Sequence, residues 1–132
     1  GSATPRLVNV SVLKHLGTGL TAGFVVGGGS AKNVLIRAIG PTLKSAFNLS
    51  GEVDDPKLTL FDSASAKIGD NDNWGGTAAL TKAFAAVGAF ALPGGSKDAA
   101  MLATLGPGNY TVQVSGDKNN TGIALVEIYE VP

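Results

Sequence analysis

The residues of this chain that can do chemistry are few, and most fall in one short stretch. Asp70-Asn71-Asp72-Asn73 sets four oxygen-bearing side chains in succession. Calcium takes about six to eight hard oxygen ligands from carboxylates, amides and backbone carbonyls. Asp70 and Asp72 are therefore candidate calcium ligands, joined by Asp54, Asp55 or Asp62 if their loops converge. The competing reading is an Asx-rich turn, in which the same short side chains bond their own backbone. The run lacks the Asp-x-Asp-x-Asp-Gly spacing and the distal Glu of an EF-hand loop. Trp74, the only tryptophan, follows directly. Exposed, it is a candidate ligand-binding platform for a sugar ring. Buried beside Gly75-Gly76, it plugs one end of the fold.

Other polar residues offer less. Arg37 stands among Val34, Leu35, Ile36, Ala38 and Ile39, and Glu127 stands in an equally apolar run. A charge in such surroundings is costly unless paired, so the two read as an ion pair or as edge-facing residues. The alternative for Arg37 is an anion site. His15 is the single histidine and has no neighbour with which to build a catalytic pair. Gly27-Gly28-Gly29-Ser30-Ala31-Lys32 lacks the Gly-Lys-Ser/Thr ending of a phosphate loop and reads as a hairpin turn. Tyr110 opens a strand just after Gly106-Pro107-Gly108-Asn109, the setting of a tyrosine corner. No nucleophile and base can be assembled from these residues. The expectation is a protein that is not an enzyme.

The elements that must position these groups are mostly strands. The chain has 132 residues, enough for one domain, and its apolar fraction of 44% suits a packed core. Ten basic and ten acidic residues balance, which gives no field to attract nucleic acid. Cysteine is absent, which excludes thiol catalysis, disulfides and zinc–thiolate sites. No apolar run approaches the roughly 20 residues of a membrane span, so membrane insertion is not expected. Scattered glycines punctuate short β-rich runs: Leu7–Val12, Leu20–Val26, Asn33–Ile39, Lys57–Asp62, Ala66–Gly69, Ala99–Leu105, Asn109–Ser115 and Gly122–Val131. Helices are expected at Pro41–Phe47 and at Thr77–Phe90, with Thr77 as a cap and the second helix over one end of the fold. The fold class is all-β, a two-sheet sandwich of jelly-roll or Greek-key type with one or two short helical insertions. Period-2 placement puts Val8, Val10, Phe24, Val26, Ile36, Leu58, Leu60, Tyr110, Val112, Val114 and Leu125 in its core. Residues 1–5 read as a tag or linker, and 6–132 as the domain.

Residues 57–76 and 98–131 resemble the bacterial pre-peptidase C-terminal domain. That pattern joins an Asp-rich strand, here Asp54 to Asp62, to an acidic-amide loop, here Asp70 to Asn73. It closes on a Leu-x-Pro-Gly-x-Tyr-x-Val-x-Val-x-Gly strand, here Leu105 to Gly116. The whole chain also resembles an uncharacterised repeat module of large exported bacterial proteins. The resemblance implies a non-catalytic β-sandwich of a secreted or cell-surface protein, with a structural, adhesive or self-associating role. The alternative it leaves is a carbohydrate-binding module appended to a secreted enzyme. No cofactor beyond calcium is expected. The expected partners are copies of the chain or neighbouring modules, or polysaccharide. Leu7–Val12 and Gly122–Ile128, poor in Lys and Glu, are the strands expected to make such contacts.

Overall fold

The computed structural model describes residues 9–17, 19–117 and 120–132. Eight strands form two antiparallel sheets of four, as the sequence pattern predicts. They are β1 (Asn9–His15), β2 (Leu20–Val26), β3 (Lys32–Ile39), β4 (Pro56–Phe61), β5 (Lys67–Asn71), β6 (Ala99–Leu105), β7 (Gly108–Gly116) and β8 (Ile123–Val131). The first sheet has the order β1-β8-β3-β6 and the second β2-β7-β4-β5. The chain crosses between sheets at most connections, so only β4 and β5 form a sequence-adjacent hairpin. The glycine-rich segment 27–31 is one of these crossings, not the hairpin turn its composition implies. Residues 1–5 and Val8 lie outside the described residues.

Two helices follow the sequence closely. α1 (Pro41–Phe47) has Pro at its first turn and ends on Asn48 in the left-handed region. α2 (Ala78–Val87) starts where the Thr77 side chain accepts from the Leu80 N–H at 3.3 Å, and it stops at Gly88 with φ 72°.

The expectation that the second helix closes one end of the sandwich is corrected by the packing. β3 and β8 are apolar on both faces, and both faces are buried. Val34, Ile36, Ala38, Ala124, Val126 and Ile128 face the second sheet, where Phe24, Val26, Leu58, Leu60, Val112 and Val114 complete the core. Leu35, Ile39 and Tyr129 face the other way, against Leu43 of α1 and Leu80, Ala83 and Phe84 of α2. A helical layer therefore covers the outer face of the first sheet, as continuous apolar strands require. Leu125 belongs to this outer cluster and is half-buried. Tyr110 is half-buried against the inter-sheet core. Val10 is not in the core. It is 40% exposed, because among the described residues β1 is an edge strand, paired with β8 on one side.

Candidate metal centre

The sheet register brings three carboxylates to one end of the second sheet. Pro56 of β4 pairs with Gly116 of β7, so Asp55 and Asp117 lie side by side just beyond the ladder. The Asp117 N–H donates to the Asp55 carbonyl at 2.8 Å, extending it by one bond. Leu58 pairs with Asn71 of β5, which places Asp72 beside the start of β4. One carboxylate oxygen from each of Asp55, Asp72 and Asp117 falls within 4.8 Å of the other two. All three residues are half-buried.

Electrostatics make this arrangement uncomfortable without a cation. Burial pushes the Asp55 carboxyl up to about 6, helped by a proton shared with Asp72 and by repulsion from Asp72 and Asp117. Lys97 opposes the shift weakly. Oδ1 of Asp55 and Oδ1 of Asp72 are both buried and, with both groups ionised, neither has a hydrogen-bond donor. Oxygen atoms in that state suit a hard divalent cation, and an all-carboxylate donor set favours calcium or magnesium over softer metals.

The sequence-derived ligands divide. Asp72 is in the cluster, and Asp55 is the member of the Asp54–Asp62 group that joins it. Asp70 does not belong. It is exposed and bonded to Lys67, whose Nζ lies 2.5 Å from Oδ2 and holds the carboxyl below its ordinary range. Asp62 is spent on its own hairpin, where Oδ1 accepts from the Ala64 and Ala66 N–H groups at 2.9 and 3.0 Å. Asn71 is also occupied, its Oδ1 accepting from the Ala100 N–H at 3.1 Å. Asp117 went unnoticed in the sequence. Its signal is positional: it ends the Tyr110–Gly116 alternation just as Asp55 precedes the strand that pairs with it.

Trp74 is 4% exposed, so the exposed stacking platform is corrected to a plug. The indole packs against Phe84 with ring centroids 5.2 Å apart, and its N–H is shared by the Pro93 carbonyl at 2.9 Å and Ser96 Oγ at 3.2 Å. It seals the helical layer rather than an end of the sandwich. Arg37 and Glu127 are cross-strand neighbours in β3 and β8. Arg37 Nε donates to Glu127 Oε1 at 2.8 Å, and Nη2 lies 2.7 Å from the same oxygen without hydrogen-bond alignment. Nη1 donates to the Phe90 carbonyl at 2.6 Å. The guanidinium carbon sits 4.7 and 4.4 Å from the ring centres of Phe84 and Phe90. The Tyr129 hydroxyl donates to Glu127 Oε2 at 2.5 Å, and burial followed by that bond pushes its pKa up to about 12. With Arg37 fully buried and so enclosed, no exogenous anion reaches it. His15 is exposed, its Nδ1 accepting from the Gly17 N–H at 3.2 Å. Tyr110 makes the corner its setting predicts, donating to the Gly106 carbonyl at 2.7 Å and stacking on Phe24 at 5.6 Å.

No family model and no curated protein sequence matches the chain. Among solved structures, the fold is similar to the pre-peptidase C-terminal domain of a collagenase from Bacillus anthracis, with a TM-score of 0.55 and 13% identity. The likeness covers 92% of this chain and 89% of that domain.

Proposed function

We propose that this chain is a non-catalytic β-sandwich module, structural or adhesive, in a bacterial protein that works outside the cell, and that calcium braces its loops at Asp55, Asp72 and Asp117. The observation that carries the module reading is the end-to-end likeness to one domain of a collagenase. The orphaned oxygens of Asp55 and Asp72 support the calcium. An ion there ties the loop entering β4 to the loops leaving β5 and β7, which the register has already brought together. The buried groups with acid–base character are held inside the fold, Arg37, Glu127 and Tyr129 under the helical layer and Asp98 against the start of α1. Thermal melting with calcium and with chelator is the test. Binding to the native state alone raises Tm by mass action. Asp55→Asn and Asp117→Asn abolish the rise, and Asp70→Asn keeps it. Superimposable curves for the parent chain overturn the calcium assignment.

A carbohydrate-binding role has one observation in its favour, and it lies away from Trp74. The uncovered face of the second sheet carries a groove of about 240 Å³ where Phe61 is flanked by Thr21, Asp62, Thr111 and Gln113. A ring beside hydrogen-bonding side chains suits a sugar. Titration with soluble polysaccharides, using Phe61→Ala as the control, decides it, since a sugar site loses its heat in the variant.

A further inference from the structure

Strand directions alternate across the first sheet. β1 and β3 run one way, β8 and β6 the other. Its two edges, β1 and β6, therefore run in opposite directions. A second copy shifted sideways, without being turned over, brings its β1 antiparallel to β6 of the first. The geometry points to this head-to-tail contact, and we propose that β6 is an acceptor edge for β1 of another copy of the chain. The inference deepens the structural-module reading and does not depend on calcium.

Three observations converge on it. First, β6 is unprotected. Its sequence, Ala99-Ala100-Met101-Leu102-Ala103-Thr104-Leu105, has no charge and no proline, the devices that normally blunt an edge. The Ala100 N–H points outward, where Asn71 takes it. Alternation turns the backbone groups of Leu102 and Thr104 the same way, and among the described residues no hydrogen bond closes them. By contrast, β5 at the edge of the other sheet carries Lys67 and Asp70.

Second, β6 borders a groove of about 390 Å³ between its outer face and α2. The floor and wall are small or apolar, with Ala79, Ala83, Ala86 and Leu102, and Lys82 at the rim. Leu102 is 40% exposed there.

Third, β1 presents what the groove lacks. Leu13 is 55% exposed and lies on the helix-covered side of the sheet, since it pairs with Leu125. Val10 is exposed on the opposite side. A sideways shift keeps each face on its own side. Leu13 of the second copy then enters the groove opposite Leu102, and the antiparallel register sets its Val12 opposite Ala103 and its Val10 opposite Leu105 on the other face. Backbone bonds give the contact its affinity, and the Leu13 side chain its register. The contact is heterologous and does not close on itself. Sheet twist rotates each copy against the last, so the product is a helical array.

Sedimentation of the full chain over a wide concentration range tests this, with Leu13→Lys and Leu102→Glu as variants. Both positions are exposed, so circular dichroism of the folded state stays unchanged, and Leu13→Ser and Leu102→Thr serve as milder replacements. The parent is expected to gain mass with concentration. Leu13→Lys keeps a working β6 and Leu102→Glu a working β1, so each alone stays monomeric. Their mixture forms a dimer of twice the monomer mass and grows no further. A monomeric parent at its highest soluble concentration overturns the proposal, as does a mixture that remains monomeric. Loss of association in only one of the two variants also overturns it, because that marks a contact between like edges. A monomeric parent leaves the module reading intact.

Discussion

At the scale of single residues, the chain spends its polar side chains on internal order, with the Asp55–Asp72–Asp117 cluster as the exception. The sign of its pH dependence follows from Asp55. Its carboxyl titrates near 6 in the folded chain against an ordinary 3.8. Between those values the folded state holds a proton that the unfolded state has lost, so stability falls as pH rises through the interval and levels off above it. Under the proposed calcium reading, the ion competes with that proton. Melting in chelator is therefore expected to give a lower Tm at pH 7 than at pH 4.5, with the gain from added calcium growing over the same range. A chelated Tm that climbs steadily from pH 4.5 to 7 contradicts the assignment. Tyr110 permits a separate check. Its hydroxyl bonds to Gly106 from a half-buried ring, so Tyr110→Phe costs about 1 kcal/mol in denaturant melts, the usual net value of such a bond. The Tyr110 corner was legible in sequence because turn and strand are local. The three-carboxylate cluster was only half legible. Asp72 and Asp55 stand in visibly acidic segments, but Asp117 acquires its role through a pairing between segments some sixty residues apart in the chain. Asp70 misled because alternation and loop composition do not reveal that Lys67 is its partner.

Elements were read more securely than their neighbours in space. Period-2 runs and glycine punctuation located the strands, and Pro41 and Thr77 marked both helix starts. The layer above the first sheet was not foreseen, although its cause was in the sequence. Asn33–Ile39 and Gly122–Val131 are apolar at consecutive positions, and a strand buried on both faces needs a cover on each. The cover is held by Asp98, fully buried at the start of β6. Its Oδ1 accepts from the Gly40 N–H at 2.7 Å and the Thr42 N–H at 3.3 Å, and its Oδ2 accepts from the Thr42 hydroxyl. Thus one carboxylate fixes the turn from β3 into α1. Gly40 has its own constraint there, since a Cβ at that position meets the Val53 carbonyl oxygen at 2.2 Å. Gly40→Ala is expected to destabilise by roughly 2 kcal/mol or more, the range for overpacking against backbone that cannot retreat. Gly95→Ala, where nothing lies within 4 Å, is the matched control. Equal midpoints for the two variants would show that the turn yields more readily than its contacts imply.

Across the whole molecule, chain order and sheet order are at odds. β8 is the last strand in the chain, yet it is interior to the first sheet and joins β1 to β3. It also supplies Glu127, without which Arg37 is a charge buried among phenylalanine rings. A chain lacking β8 has no continuous first sheet and no tolerable place for that guanidinium. Truncation after Asn120 should therefore be unfolded by circular dichroism, and a peptide of residues 121–132 added in excess should restore the sheet signal. A folded truncated chain would show that β1 and β3 hold without their bridge. The consequence concerns timing. A first sheet that closes only through residues 123–131 cannot be built strand by strand from its earlier members, so this unit folds late and all at once.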